Sequence, residues 1–141
     1  MRTVGIDYGD KRIGVSFSDI LGTLAGESFT ITVTNPNKAF DELCESILSH
    51  NCTEIVLGYP KHMNADIGDR AKKSEAIAEQ LRERTGLPVI LWDERCTTVD
   101  AHRILTETGN TGKKRRAKVD SVAAALILQN YLDFKASAGR R

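Results

Sequence analysis

Three carboxylates in this chain, Asp7, Glu94 and Asp120, are spaced so that one fold could bring them to one place. Asp7 closes the apolar run Val4-Gly5-Ile6 and precedes a Gly9-Asp10 turn and a second apolar run, Ile13-Gly14-Val15-Ser16-Phe17. Glu94 follows the run Val89 to Trp92 and Asp93, and Asp120 opens an alanine-rich segment containing Ala123, Ala124 and Ala125. A carboxylate inside a sheet is costly unless it is paired, so Asp7 needs either a cation or the turn amides that an aspartate can cap. Three converging carboxylates repel one another until a cation neutralises them, and hard oxygen donors select Mg²⁺ or Mn²⁺. Two such ions ~4 Å apart activate water and stabilise the leaving oxygen of a phosphodiester. Taken singly, each acid has a plainer reading: Glu94 pairs with Arg95 or Arg103, and Asp120 favours a helix N-terminus.

Cations accompany the acids. Lys11 and Arg12 sit in or just after the first turn, and Lys113-Lys114-Arg115-Arg116 with Lys118 form a basic run. The net charge of +1 hides an asymmetry: residues 113–141 carry a net +6 and residues 1–112 a net −5. The run is therefore either a phosphate-binding surface or a solvated basic loop. Cys44, Cys52 and Cys96 have no C-x-x-C spacing and read as reduced thiols, Cys96 as a half-buried structural residue. His50, His62 and His102 lack metal-like spacing and read as surface or capping groups.

The elements that must hold these groups follow from periodicity. Strands are expected at about 2–8, 12–19 and 27–33, where Phe29, Ile31 and Val33 alternate with polar residues. Asn35-Pro36-Asn37 starts a helix with Phe40, Leu43, Cys44, Ile47 and Leu48 on one stripe. Residues 54–58 form a strand, and Gly58-Tyr59-Pro60 ends it at the same sheet edge as Asp7. A polar loop with Asn64, Asp66 and Gly68 leads to a helix from Ala71 to Arg84, with Ala71, Ile77, Ala78 and Leu81 inward and Gly86 closing it. Pro88–Trp92 reads as a buried strand, Thr97-Thr98 as the cap of a helix through Val99, Ile104 and Leu105. Residues 108–112 read as a loop, and the last helix as about Ala117–Phe134.

This order predicts an α/β fold with a mixed five-stranded sheet, three antiparallel strands then two parallel, flanked by helices. In such sheets ligands gather beyond the carboxyl ends of the parallel strands, where Asp7 and Glu94 would lie. Asp120 shares a helix face with Ala123, Ala124 and Ile127, and small alanines let that face approach the sheet. At 141 residues, 40% hydrophobic and 28% charged, the chain reads as one soluble domain without a signal peptide. It has no apolar run near the ~20 residues of a membrane span.

Four blocks together resemble the YqgF family, also called RuvX: Gly5-Ile6-Asp7-Tyr8-Gly9-x-Lys11-Arg12-Ile13-Gly14-Val15, Val56-Leu57-Gly58-Tyr59-Pro60, Asp93-Glu94-Arg95-x-Thr97-Thr98, and Lys118-Val119-Asp120-x-x-Ala123-Ala124-x-x-Ile127-Leu128-Gln129. The resemblance covers nearly the whole chain and implies one ribonuclease H-like nuclease domain over residues 1–141. It implies Asp7, Glu94 and Asp120 as catalytic acids holding Mg²⁺ or Mn²⁺. Lys11, Arg12 and Arg95 become contacts to phosphate, joined by Lys113, Lys114, Arg115 and Arg116. The implied activity is metal-dependent hydrolysis of phosphodiesters in structured RNA, in 5′-end maturation of pre-16S ribosomal RNA. The alternative within the same chemistry is Holliday junction resolution on branched DNA; outside it stands a non-catalytic nucleic-acid-binding module. An actin-like nucleotide-binding fold is disfavoured, because such proteins pair two domains. A cytoplasmic monomer or homodimer is expected. Relative to RuvC-type resolvases, a fourth-strand glutamate is replaced near Gly58, and a further aspartate falls on Ala123.

Overall fold

The computed structural model describes the backbone of residues 2–59, 65–93 and 112–139 and the side chains of residues 2–59, 71–92 and 121–136. Within these, the chain runs β1 (Arg2–Tyr8), β2 (Arg12–Ser18), β3 (Ala25–Thr32), α1 (Pro36–Ser49), β4 (Cys52–Tyr59), α2 (Ala65–Thr85), β5 (Val89–Asp93) and α3 (Gly112–Gly139). The strands form one sheet in the order β3-β2-β1-β4-β5. β1 pairs antiparallel with β2 and β2 with β3, whereas β1–β4 and β4–β5 are parallel. The expected mixed five-stranded sheet is the observed one.

The two faces of the sheet differ in side-chain size, and that difference positions everything else. One face carries Val4, Ile6, Ile13, Val15, Phe17, Ile55 and Leu57, packed with Leu43 and Ile47 of α1 and Ala78 and Leu81 of α2. The opposite face alternates to Gly5 on β1, Gly14, Ser16 and Ser18 on β2, and Val56 on β4. Small residues there admit α3 at close range: a Cβ added to Gly5 would lie 2.7 Å from Leu128 Cβ and 2.8 Å from the Ala124 carbonyl oxygen. Ala123, Ala124, Ile127 and Leu128 are fully buried in that contact, as the alanine-rich stripe predicts.

Several boundaries differ from the sequence expectation. α2 begins at Ala65, so Asp66 and Gly68 are helical and not loop; the position of Asn64 lies outside the described residues. A single helical glycine costs only about 1 kcal/mol against the helix it extends. α3 begins at Gly112, so Lys113–Lys118 are helical too, because lysine and arginine are good helix formers. β5 is an edge strand: Val89 is buried, but Ile90, Leu91 and Trp92 are only half-buried. Leu48, expected on the inner stripe of α1, is 51% exposed and Ala39 is buried instead; Ala71 is half-buried. Asn35 caps α1, its side chain accepting from the amides of Asn37 and Lys38. Gly86 closes α2 with φ +71°, a left-handed conformation suited to glycine. The helix expected at 97–105 and most of the 108–112 loop lie outside the described residues.

Candidate active site

The parallel strands β1, β4 and β5 end together, and their last residues form the edge at which a ligand would gather. Asp7 is the penultimate residue of β1 and half-buried. Strand alternation puts it on the same face as Gly5, the face covered by α3. Its antiparallel partner is Gly14. On the parallel side, Ile6 is in register with Leu57, so one residue further along, Gly58 lies beside Asp7 on β4. Asp7 therefore has a glycine beside it on each adjacent strand. Gly58 pairs in turn with Trp92, and Tyr59 with Asp93, which brings the end of β5 to the same edge. Glu94, the next residue, lies outside the described residues, as do Arg95 and Cys96.

The direction of α3 follows from its contacts. Its later turns meet the starts of β1 and β4: Tyr131 donates to Glu54 at 3.0 Å, and Lys135 reaches the same carboxylate at 2.5 Å. Ala124 and Leu128 lie over Gly5 in the middle of β1. The helix thus runs antiparallel to β1, and Asp120, one turn before Ala124, is carried toward the end of β1 that bears Asp7. The side chain of Asp120 lies outside the described ones. Among the described residues no group of three His, Cys, Asp or Glu side chains gathers at metal-holding distance. Ala123 is 1% exposed, so the position where RuvC-type resolvases would have a further acid is sealed against the sheet.

The cations divide between the turn and the helix. Lys11 is exposed at the tip of the β1–β2 turn, which is closed by hydrogen bonds from the Gly9 amide to the Arg12 carbonyl and from the Val33 amide to the Lys11 carbonyl, both 2.9 Å. Arg12 begins β2 opposite Thr32 and is half-buried. Lys113, Lys114, Arg115 and Arg116 occupy the first turns of α3. Two side-chain contacts tie α2 to the same edge: Asp10 pairs with Lys73, and Tyr59 donates to Glu75 at 3.1 Å. Burial, then the neighbouring Cys44, holds the Tyr8 phenol above its ordinary pKa.

The remaining predicted groups play structural parts. His50 caps α1, stacks on Phe17 with ring centroids 3.8 Å apart, and places Nδ1 2.7 Å from the Ser46 carbonyl. Cys44 and Cys52 are free and buried, and burial raises both thiols, Cys52 to about 11. His62 and His102 lie outside the described residues. Gly14 was not singled out as a site residue by its sequence; the signal was present in the row of small residues on one face of β1 and β2. A groove of about 850 Å³ between α1, α2 and the β1–β2 turn, lined by Tyr8, Phe40 and Ile77, opens on the face opposite Asp7, which is not among its described lining residues.

A mixed five-stranded sheet of this order, crossed on its small-residue face by one long helix with an aspartate at the central strand's end, is a ribonuclease H-like fold. The solved structure of T. thermophilus RuvC in complex with a Holliday junction substrate superposes with a TM-score of 0.62 over 96% of each chain at 10% identity. The fowlpox virus Holliday junction resolvase gives 0.60 at 12% identity, over 95% of this chain and 99% of that one. The family follows from sequence: the chain belongs to the RuvX family, described as Holliday junction resolvase, which matches residues 1–134. Relatives include a protein of Lachnospira eligens, 45% identical over 138 residues covering 96% of this chain and 99% of its own. One from Listeria innocua is 46% identical over 135 residues, covering 94% and 98%. Both carry the name "Putative pre-16S rRNA nuclease".

Proposed function

We propose that this protein is a divalent-metal-dependent endonuclease that hydrolyses phosphodiester bonds in the 5′-end maturation of pre-16S ribosomal RNA. The observation that carries the reading is Asp7, a half-buried hard-oxygen donor at the end of the central strand with glycine on both neighbouring strands. A hard-oxygen donor of that kind fits Mg²⁺ or Mn²⁺. Asp7, Glu94 and Asp120 would hold the ion, which when bound supplies Lewis-acid polarisation of the phosphodiester and a more acidic water. The rest of the work falls to the chain's cations. Lys11 and Arg12, on the turn that follows Asp7, and Arg95 bind the scissile phosphate and stabilise the charge that develops on it. Lys113, Lys114, Arg115 and Arg116 hold flanking phosphates, which makes affinity salt-dependent and largely independent of sequence. The whole of residues 1–141 acts as one nuclease domain, as a cytoplasmic monomer or homodimer.

The family's own description keeps branched DNA as the second substrate. The test offers a pre-16S RNA fragment and a four-way DNA junction side by side to the purified protein with Mg²⁺ or Mn²⁺, with Asp7→Asn as control. Cleavage of the RNA that disappears in Asp7→Asn while binding persists is the expected result. Preferential cleavage of the junction would transfer the reading to resolution. Activity retained by Asp7→Asn would remove Asp7 from the role. Binding without cleavage of either polymer would leave a nucleic-acid-binding module.

A further inference from the structure

Gln129 closes the last of the four sequence blocks, yet it stands at the end of the sheet remote from Asp7. Its half-buried side chain uses both of its N–H donors and its carbonyl oxygen. Oε1 accepts from the Ala25 amide at 2.9 Å, while Nε2 donates to the Thr23 carbonyl at 3.1 Å and to the Asp133 carboxylate at 3.0 Å. Ala25 and Thr23 offer main-chain groups, whose places are set by the path of the chain and not by a rotamer. That path is braced. The Asp19 carboxylate accepts from the Thr23 amide (2.8 Å), the Thr23 hydroxyl (2.8 Å) and the Leu24 amide (3.3 Å), and the Asp19 amide donates to the Leu24 carbonyl (2.9 Å). Ala25 then opens β3 in register with Ser18 of β2. The β2–β3 turn is thus a fixed point of the sheet, and Gln129 ties α3 to it.

A second grip lies across the helix. Tyr131 and Lys135 bond the Glu54 carboxylate, which also accepts from the Thr3 hydroxyl at 3.1 Å. At about 100° per residue, Gln129 and Tyr131 leave the helix axis about 160° apart. Apolar burial is non-directional, so the packing of Ala124 and Leu128 on Gly5 does not by itself set the rotation of α3 about its axis. Two polar grips from nearly opposite sides do. Asp120 lies on the same helix, about 14 Å along the axis from Gln129. A roll of about 10° sweeps a group at the helix's outer radius of about 5–6 Å through ~1 Å. A misplacement of about 1 Å can slow a reaction roughly 100-fold.

We propose that Gln129 is a positioning residue for the acid site: by pinning α3 to the Asp19-braced turn, it sets the rotation of the helix and so the place of Asp120 beside the end of β1. This rests on the metal-dependent nuclease reading above and adds to it a residue that acts through the helix.

The test compares full-length wild type with Gln129→Leu, which keeps the side chain's bulk and removes its bonds to the turn. Ile47→Val, in the core cluster on the other face of the sheet, is the control for lost stability alone. Three quantities are read: Mn²⁺ affinity by calorimetry with no RNA present, RNA affinity by anisotropy without metal, and the single-turnover cleavage rate at saturating RNA. Gln129→Leu should bind Mn²⁺ at least tenfold more weakly and cleave at least tenfold more slowly, with RNA affinity unchanged. Ile47→Val should match wild type in all three. Asp19→Ala, which loosens the turn from its far side, should shift Mn²⁺ affinity and rate in the same direction. Combined with Gln129→Leu it should add less than twofold, because both act through one contact. A Gln129→Leu protein with a lowered thermal midpoint but wild-type Mn²⁺ affinity and rate overturns the proposal, as does full additivity of the two changes. Failure of the nuclease reading shows in wild type alone, as a protein that neither binds Mn²⁺ nor cuts the RNA, and it takes this inference with it.

Discussion

Replacing Gly5 by alanine adds one methyl group at the closest approach between β1 and α3. The new Cβ would meet Leu128 Cβ at 2.7 Å, the Ala124 carbonyl oxygen at 2.8 Å and Leu128 Cα at 3.3 Å. Two of those three atoms are backbone, so a rotamer change cannot relieve the contact and the helix itself must move. Overpacking of this kind costs ~1–3 kcal/mol. The upper half of that range applies, reduced by the ~0.4–1 kcal/mol that alanine contributes by restricting the unfolded chain. A net loss of about 2 kcal/mol, at about 4 °C per kcal/mol for a chain of this length, lowers the thermal midpoint by about 8 °C. Leu128→Ala in the same chain will not restore it, because Leu128 Cβ and the Ala124 carbonyl remain. Displacing α3 also moves Asp120 relative to Asp7, and small misplacements of reacting groups are expensive in rate. At 25 °C, where the variant is still folded, kcat/KM on the RNA fragment should fall about tenfold. Calorimetry and single-turnover cleavage check the two parts. An unchanged midpoint would refute the close β1–α3 contact, and a lowered midpoint with wild-type kcat/KM would refute the claim that this contact positions the site.

Changing Lys113, Lys114, Arg115 and Arg116 to glutamine should weaken RNA binding and lower the slope of log K against log salt by about 3, read by anisotropy titrations; an unaltered slope means the run touches no phosphate. Cys52, with its pKa raised to about 11 by burial, should react with a disulfide reagent at pH 8 roughly 100-fold more slowly in the native than in the guanidinium-unfolded state of a Cys44→Ala, Cys96→Ser protein. Burial raises the Glu54 carboxyl, but hydrogen bonds from Lys135 and Tyr131, the Lys135 charge and the Thr3 hydroxyl outweigh it, so its pKa lies below the ordinary value. The unfolded state then binds the proton more readily. The stability advantage of wild type over Glu54→Gln should be complete above the ordinary value of about 4.3 and shrink as pH falls through the folded pKa, read from urea midpoints between pH 7 and 3.

What the sequence made legible depended on periodicity. β1, β2 and α1 were readable because alternation or a 3.6-residue stripe marks one buried face, and Asn35-Pro36 supplies its own start signal. The beginnings of α2 and α3 were not, since Asp66-Ile67-Gly68 and Lys113–Lys118 present no apolar stripe. Charge and a glycine looked like loop, yet their propensity cost is small against the helix they extend. β5 read as buried because its composition is strongly apolar, and composition cannot tell an edge strand from a central one. Asp7 was legible as an anomaly, a charge closing an apolar strand. The Thr3–Glu54–Tyr131–Lys135 cluster was invisible, because its members are up to 132 residues apart in sequence and meet only once α3 has crossed the sheet.

That crossing explains why so much depends on α3. Twenty-eight residues give a rod about 42 Å long, anchored at three levels. Glu54 receives Tyr131 and Lys135 at the starts of β1 and β4, Gly5 receives Ala124 and Leu128 at mid-sheet, and the β2–β3 turn is bonded to Gln129. All three anchors lie on the C-terminal side of Asp120. The basic turns that precede it are added at the helix's positive end, where like charge repels and an intrahelical partner is missing for the first amides. The described anchors thus fix the helix on the C-terminal side of the acid. Under the proposed nuclease reading, phosphate held at those turns would couple RNA binding to the acid site through one helix.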